Sequence, residues 1–133
     1  PEIDYIPRVE RSEIPALYRQ INALICCSID DPLPVVVTEC FMFGKNVIIS
    51  SGSGQYYMVK DEYDGYSYLE SDVNALCKKM ISAWSARDDK AMGEHARNLY
   101  TSKFTTRVFE ERLMAYTNEL IVNWKGVYVD EAN

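Results

Sequence analysis

The chain is poor in residues that hold soft metals. Its 133 residues include one histidine, His95, and four cysteines, Cys26, Cys27, Cys40 and Cys77. No two cysteines form a Cys-x-x-Cys pair, and His95 stands well apart from them, which argues against a zinc site. Cys26 and Cys27 are adjacent in a strand-like run, so they point to opposite faces. Reduced thiols in a cytosolic α/β protein are the expectation. Basic residues are outnumbered, 14 Lys and Arg against 20 Asp and Glu, for a net charge of -6. With no basic stripe, no nucleic-acid partner is expected. No apolar run is long enough to span a bilayer, and the first residues show no charged-then-apolar leader pattern. The expected location is cytoplasmic, with peripheral membrane association of a full-length protein left open. Repeats and low-complexity stretches are also missing. What is there is an ordinary balance, 47% hydrophobic and 26% charged, in a chain of single-domain length that can bury a core.

The apolar runs alternate between strand and helix character. Ile3 to Ile6 reads as a short strand ended by Pro7. Ser12 is placed to cap a helix that carries Leu17, Tyr18 and Ile21 on one face. Ala23 to Cys27 is continuously apolar, the pattern of a strand buried on both faces. An acidic turn follows, Ser28-Ile29-Asp30-Asp31. Pro34 to Phe43 is apolar almost throughout, and its valines favour a strand. Pro34 at a first turn, Gly44 at a C-terminal cap and a length of about three turns favour a helix, which is the reading adopted. Val47 to Ser50 is the next strand, followed by the loop Ser51-Gly52-Ser53-Gly54. Gln55 to Val59 reads as a short helix, Lys60 to Gly65 as a polar turn and Tyr66 to Leu69 as a strand. Ser71-Asp72 caps a helix carrying Val73, Leu76, Met80, Ile81 and Trp84. Two more helices follow, Lys90 to Tyr100 and Phe104 to about Trp124, and the tail Asp130 to Asn133 is expected to fray. This order predicts an α/β fold with a parallel sheet of about three to four strands flanked by helices, and a helical C-terminus.

Ligands of such sheets bind at the carboxyl ends of the strands. The loops Ser28 to Pro34 and Ser50 to Gly54 both follow strands and are expected on that edge. Asp31 and Glu39 are the leading candidates. A carboxylate accepts paired hydrogen bonds from sugar hydroxyls. The backbone N–H groups that open the helix after Pro34 suit a diphosphate. Together these describe a nucleotide-sugar. Spacing alone also allows Asp31 to be a turn residue and Glu39 a solvated helix residue. The Ser51 to Gly54 loop either lets backbone approach a ligand or is an ordinary turn. It lacks the Gly-Lys-Ser/Thr ending of a P-loop. Lys45, after a helix C-terminus, reads as structural. His95, in a polar helix, reads as an unlikely catalyst, and the tyrosines between Tyr56 and Tyr68 as packing or groove residues.

The segment Asp31-Pro32-Leu33-Pro34-(x)4-Glu39-Cys40-Phe41-Met42-Phe43-Gly44-Lys45-Asn46-Val47-Ile48-Ile49-Ser50 resembles a signature of retaining GT-B glycosyltransferases of the family 4 type. That signature runs Glu-Pro-Phe-Gly-(x)4-Glu-Ala-x-Ala-x-Gly-x-Pro-Val-Val-Ala-(Ser/Thr). Ile14-Pro15-Ala16-Leu17-Tyr18 resembles the helix before it. Gly54 to Val59 and Asp64-Gly65-Tyr66 resemble the family's glycine loop and following strand. Gly93-Glu94-His95-Ala96-Arg97 and Phe104-Thr105 resemble its late helices. The likeness runs over residues 12 to 121.

The resemblance implies a GT-B fold of two Rossmann-like domains, with residues 1–133 forming a partial C-terminal, nucleotide-sugar-binding domain. An N-terminal acceptor domain and the family's phosphate-binding Arg/Lys pair would lie outside it, so the chain alone is expected not to catalyse transfer. By position, the resemblance assigns Asp31, Leu33, Pro34 and Val35 to the donor sugar and Val36 and Glu39 to the nucleotide. It implies no metal and no cofactor, the nucleotide-diphosphate-sugar being substrate. Its implied partners are that donor and the missing domain of the same protein. In the family's 3-2-1-4-5-6 strand order, Ile3 to Ile6 would be strand three, deprived of its usual neighbours. Phe104, Val108, Leu113, Tyr116, Leu120 and Trp124 would be partly uncovered. Both features suggest self-association of the fragment.

The chain departs from the family pattern at three places. Asp31 stands for Glu, Pro34 stands for Gly and removes an N–H, and Tyr57 stands where Glu is common. The leading reading stays the donor-binding part of a retaining glycosyltransferase that transfers a sugar to a saccharide or glycoconjugate acceptor. Pro34 and the Asp31 substitution are the best support for the alternative, a degenerate non-catalytic nucleotide- or partner-binding α/β domain. A phosphoacceptor signalling domain is disfavoured, because Lys45 and Asp64 do not fall at strand ends beside Asp30-Asp31.

Overall fold

A computed structural model describes the backbone of residues 3–130 and the side chains of residues 3–124. The tail after Asp130 lies outside the described residues. Two compact units make up the chain, Pro1–Tyr100 and Thr101–Asn133.

The first unit is built around three parallel strands, β1 (Ala23–Cys26), β2 (Asn46–Ser50) and β3 (Tyr66–Tyr68), in the order β1-β2-β3. Its α/β class, parallel sheet and flanking helices agree with the strand–helix alternation in the sequence. β2 lies in the middle, carries the β-branched run Val47-Ile48-Ile49, and has all five of its residues buried. Ile48 pairs with Ile25 on one side and Tyr66 on the other. Fully burying a side chain such as Ile48 or Ile49 contributes about 1.5–3 kcal/mol.

Strand alternation sorts the two faces. Ile48 clusters with Tyr66, Tyr68, Ala83 and Met92, against Leu76 and Ala75 of α3 (Val73–Ser85). Met92 comes from α4 (Ala91–Lys103), a helix that also buries Gly93 and Ala96. Val47 and Ile49 turn to the other face. There α2 (Val35–Met42) buries Val37, Cys40 and Phe41, and α1 (Ile14–Gln20) buries Tyr18. The Tyr18 ring stacks on Phe43 at 5.1 Å between centroids.

The ambiguous stretch after Pro34 is a helix, and its ends show why. Pro34 is the N-cap, where a missing N–H costs no intrahelical bond. At the other end Gly44 takes φ 62°. The amide of Gly44 donates to the Phe41 carbonyl at 3.0 Å, and that of Lys45 to the Cys40 carbonyl at 3.0 Å. This is a Schellman cap, which wants glycine in the left-handed position. Lys45 Nζ then reaches the Arg19 carbonyl, a structural role at the end of α1.

Four expectations are corrected. Ile3 to Ile6 forms no strand, and Ile3, Tyr5 and Ile6 are exposed. A strand needs a ladder partner, and none among the described residues pairs with this segment. β1 is not buried on both faces, since Ile25 is 41% exposed at the open side of the sheet. The first helix is capped not by Ser12 but by Glu13, with no side-chain cap bond. Of the α3 residues singled out, Leu76 packs while Val73, Met80, Ile81 and Trp84 are exposed, because the apolar arc is wider than a three-stranded sheet can cover. Asp72 does cap α3, its Oδ1 accepting from the Ala75 amide at 2.8 Å.

The second unit is dominated by α5 (Thr106–Asp130). Leu113, Tyr116, Leu120 and Trp124 are exposed on it, and Phe104 and Val108 are half-buried.

Candidate functional site

The two loops singled out meet at the carboxyl edge of the sheet. Asp31 and Ser53 form a parallel bridge. The Asp31 amide donates to the Gly52 carbonyl, and the Gly54 amide to the Asp31 carbonyl, each at 2.9 Å. Ser50 Oγ donates to the Ser28 carbonyl at 2.5 Å. The glycines explain this closeness. A Cβ on Gly52 would lie 2.3 Å from the Ile29 carbonyl oxygen, and one on Gly54 would lie 1.9 Å from that of Pro32. So these glycines serve loop-to-loop packing. Neither reading left open by the sequence, ligand approach or ordinary turn, describes that.

Asp31, Leu33, Pro34, Val35, Val36 and Glu39 run through this edge into the first turns of α2. Asp31 Oδ1 accepts from the Leu33 amide at 3.1 Å, an Asx turn that starts the approach to the helix. Leu33, Val35 and Val36 are exposed and Pro34 is buried. The Val37 amide donates to the Pro34 carbonyl at 3.1 Å. The N–H groups of Val35 and Val36 precede any intrahelical acceptor. They are the free donors of a helix N-terminus, where partial positive charge gathers. Neither loop, Ser28 to Pro34 or Ser50 to Gly54, contains lysine or arginine.

Glu39 stands one turn further along. Its Oε2 lies 3.0 Å from the Tyr18 hydroxyl, which is also 3.0 Å from the Val36 carbonyl. One carboxylate oxygen is thus held by α1, and Oε1 has no protein donor among the described residues. Burial first, then the hydrogen bond and charge of Glu39, push the Tyr18 pKa well above its ordinary value. The phenol therefore stays protonated and keeps donating. Burial likewise pushes the Cys40 thiol up to about 12, so it behaves as an inert core group.

Tyr18 and Gln55 hold residues of this candidate site, Glu39 and Pro34, and the sequence reading did not single them out. Tyr18 was legible only as a core position on an amphipathic helix. Gln55 was one residue of a short helix, and it proves to be fully buried against Pro34 and Thr38. Tyr57, at the position where Glu is common, is exposed, while Tyr66 and Tyr68 pack in the core. His95 stacks on Tyr63 at 3.8 Å, with Nδ1 3.0 Å from the Tyr63 carbonyl, far from the two loops in the sheet's topology. A cleft of about 920 Å3 lies at the opposite, amino end of β2 around Gly44, Asn46 and Gly93.

An open parallel sheet with a helix N-terminus at its carboxyl edge defines a Rossmann-like α/β layer. The chain belongs to the family described as "Glycosyl transferases group 1", whose model matches residues 1–99. It is 20% identical over 113 residues to the UDP-Gal:alpha-D-GlcNAc-diphosphoundecaprenol alpha-1,3-galactosyltransferase of Escherichia coli, covering 85% of this chain and 29% of that protein. Its fold matches sucrose-phosphate synthase from Thermosynechococcus elongatus with a TM-score of 0.77 and 18% identity, covering 90% of this chain and 30% of that one. It also matches Anabaena HepE in complex with UDP, with a TM-score of 0.71 and 16% identity, covering 82% and 30%. The chain therefore spans under a third of each of these proteins. Among the described residues, no helix is long and apolar enough to cross a membrane.

Proposed function

We propose that this chain is the donor-binding part of a retaining glycosyltransferase that takes a nucleotide-diphosphate-sugar. The observation that carries the reading is Glu39, whose Oε2 is fixed by Tyr18 and whose Oε1 is left open, one turn beyond the free amides of Val35 and Val36. Glu39 holds ribose hydroxyls, the α2 N-terminus receives the diphosphate, and Asp31 with the Leu33 to Val35 backbone faces the sugar. The two acids hold the donor and do not act as an acid/base pair. No metal or cofactor is required, and the two loops bring no cation, so charge on the diphosphate is matched by other parts of a longer protein. The match to a UDP-Gal transferase and to a UDP complex supports a uridine donor. The lipid-linked acceptor named for the Escherichia coli relative supports glycoconjugate assembly by a cytoplasmic protein peripheral to a membrane. Transfer itself needs an acceptor domain, and the isolated chain is expected to be inactive.

The test is calorimetry of UDP- and GDP-sugars on the whole polypeptide that carries this chain, against Asp31→Ala and Glu39→Ala. Loss of at least about 1.4 kcal/mol, tenfold, in both variants supports the assignment. Equal binding by wild type and variants, or none by wild type, overturns it. The second reading is a non-catalytic binding domain. It is favoured by Pro34, which has no N–H, and by the Leu33 amide, which is already engaged by Asp31. Binding without turnover would select it.

A further inference from the structure

Gln55 opens the 3-10 helix Gly54–Met58 after β2 and is completely buried. Its Nε2 donates to the Pro34 carbonyl at 3.0 Å and to Thr38 Oγ1 at 3.2 Å. Its Oε1 is buried and has no partner among the described residues. The amide orientation follows from chemistry. The Pro34 carbonyl can only accept, so the nitrogen must face it and the oxygen must be the orphan. An unpaired buried carbonyl weakens a fold, whereas an apolar side chain of the same size in that place would not. A buried polar group that is only half satisfied asks for a reason beyond stability.

The reason lies in what Nε2 holds. Pro34 is the N-cap of α2 and, lacking an N–H, cannot be tied through its own amide. Its carbonyl is tied instead from the neighbouring loop, and Thr38, one turn on, is tied by the same nitrogen. A single side-chain amide thus references the first turn of α2, with the free N–H groups of Val35 and Val36, to the loop after β2. We propose that Gln55 is a positioning residue for the diphosphate of a nucleotide donor, trading fold stability for the placement of these N–H groups. This rests on the reading of α2 as donor-facing.

The experiment titrates uridine, UMP and UDP onto the whole polypeptide that carries this chain, by NMR shift perturbation and calorimetry, with urea unfolding in parallel. The variants are Gln55→Met, Gln55→Asn and Glu39→Ala. Gln55→Met is expected to unfold at the same or higher urea, to bind uridine as wild type does, and to bind UDP about tenfold more weakly, which is about 1.4 kcal/mol. Gln55→Asn keeps an amide too short to reach Pro34 and is expected to lose UDP affinity equally. It gives the same reading if the Met variant does not fold. An unchanged UDP-to-uridine affinity ratio in both Gln55 variants overturns the proposal. So does a parallel loss of stability and of affinity for all three ligands, which would mark a merely structural residue. If Glu39→Ala loses uridine and UDP while the Gln55 variants lose neither, the proposal alone fails. If wild type binds UDP no better than uridine, the donor reading fails and takes the proposal with it.

Discussion

Tyr18→Phe removes one oxygen atom and little else. The ring stack on Phe43, at 5.1 Å and 7° between planes, remains available to phenylalanine. What goes is the hydroxyl held 3.0 Å from Glu39 Oε2 and 3.0 Å from the Val36 carbonyl. One proton serves one acceptor at a time. The Val36 carbonyl keeps its place in the α2 ladder, so the carboxylate bears most of the loss. A hydrogen bond to a charged group is worth about 1.5–3 kcal/mol net. Glu39 is half-buried, so water replaces part of it, and the expected cost is about 1–1.5 kcal/mol. For a chain of this size that lowers Tm by about 3–5 °C. Freeing the Glu39 side chain adds an ordering cost to ligand binding of about 0.5–1 kcal/mol. Affinity for UDP should then fall roughly two- to fivefold. Calorimetric melting and UDP titration of wild type, Tyr18→Phe, Glu39→Gln and the double variant read both terms. Effects of Tyr18→Phe and Glu39→Gln that simply add, in Tm and in Kd, would refute the coupling of α1 to the site through this hydroxyl.

Two further outcomes follow from packing and burial. Gly54→Ala places a methyl 1.9 Å from the Pro32 carbonyl oxygen, so one loop must move off the other. Urea unfolding should show a loss of about 2–3 kcal/mol, and UDP binding should fall with it. A Gly54→Ala variant as stable as wild type would sink the view that glycine is there for loop-to-loop contact. Burial raises the Asp64 pKa above its ordinary 3.8, against the Lys60 amide, its own amide and the charges of His95 and Lys60. The native state thus keeps this proton to higher pH than the unfolded chain. The group's contribution is fully present below pH 3.8 and is lost as pH rises through the raised native value. Measured from about pH 3 to about pH 6, the stability of wild type relative to Asp64→Asn should decline. A difference that is flat or grows with pH would contradict it.

Element type was legible wherever local chemistry and tertiary demand agreed. Pro34 and Gly44 bracket α2 because a missing N–H and a left-handed φ each fit one end of a helix, and Asp72 caps α3 for the same kind of reason. The apolar run of β2 announced a buried parallel strand. Ile3 to Ile6 looked as good a strand locally, yet formed none, because extended backbone is stable only when a second chain segment takes its hydrogen bonds. β1 carries an apolar run like that of β2, and its exposed Ile25 shows that burial on both faces belongs to the neighbours and not to the strand. The α3 face failed the same way, its apolar width exceeding the sheet beneath it.

The site divides along the same line. Residue order alone determined that Asp31 and Glu39 flank a helix start, that the chain has no cation in either loop, and that both loops follow strands. Those are properties of adjacent residues and of the pattern of turns. Tertiary structure decided that Tyr18, twenty-one positions before Glu39, supplies the proton to its carboxylate. It decided that Gln55 reaches back to Pro34, and that Gly52 and Gly54 are small for the sake of a neighbouring loop. The physical reason is that hydrogen bonds and van der Waals contact act over a few ångströms of space. Such pairs are brought together by the packing of helices on the parallel sheet, and no period or motif in the sequence encodes which distant residue will arrive.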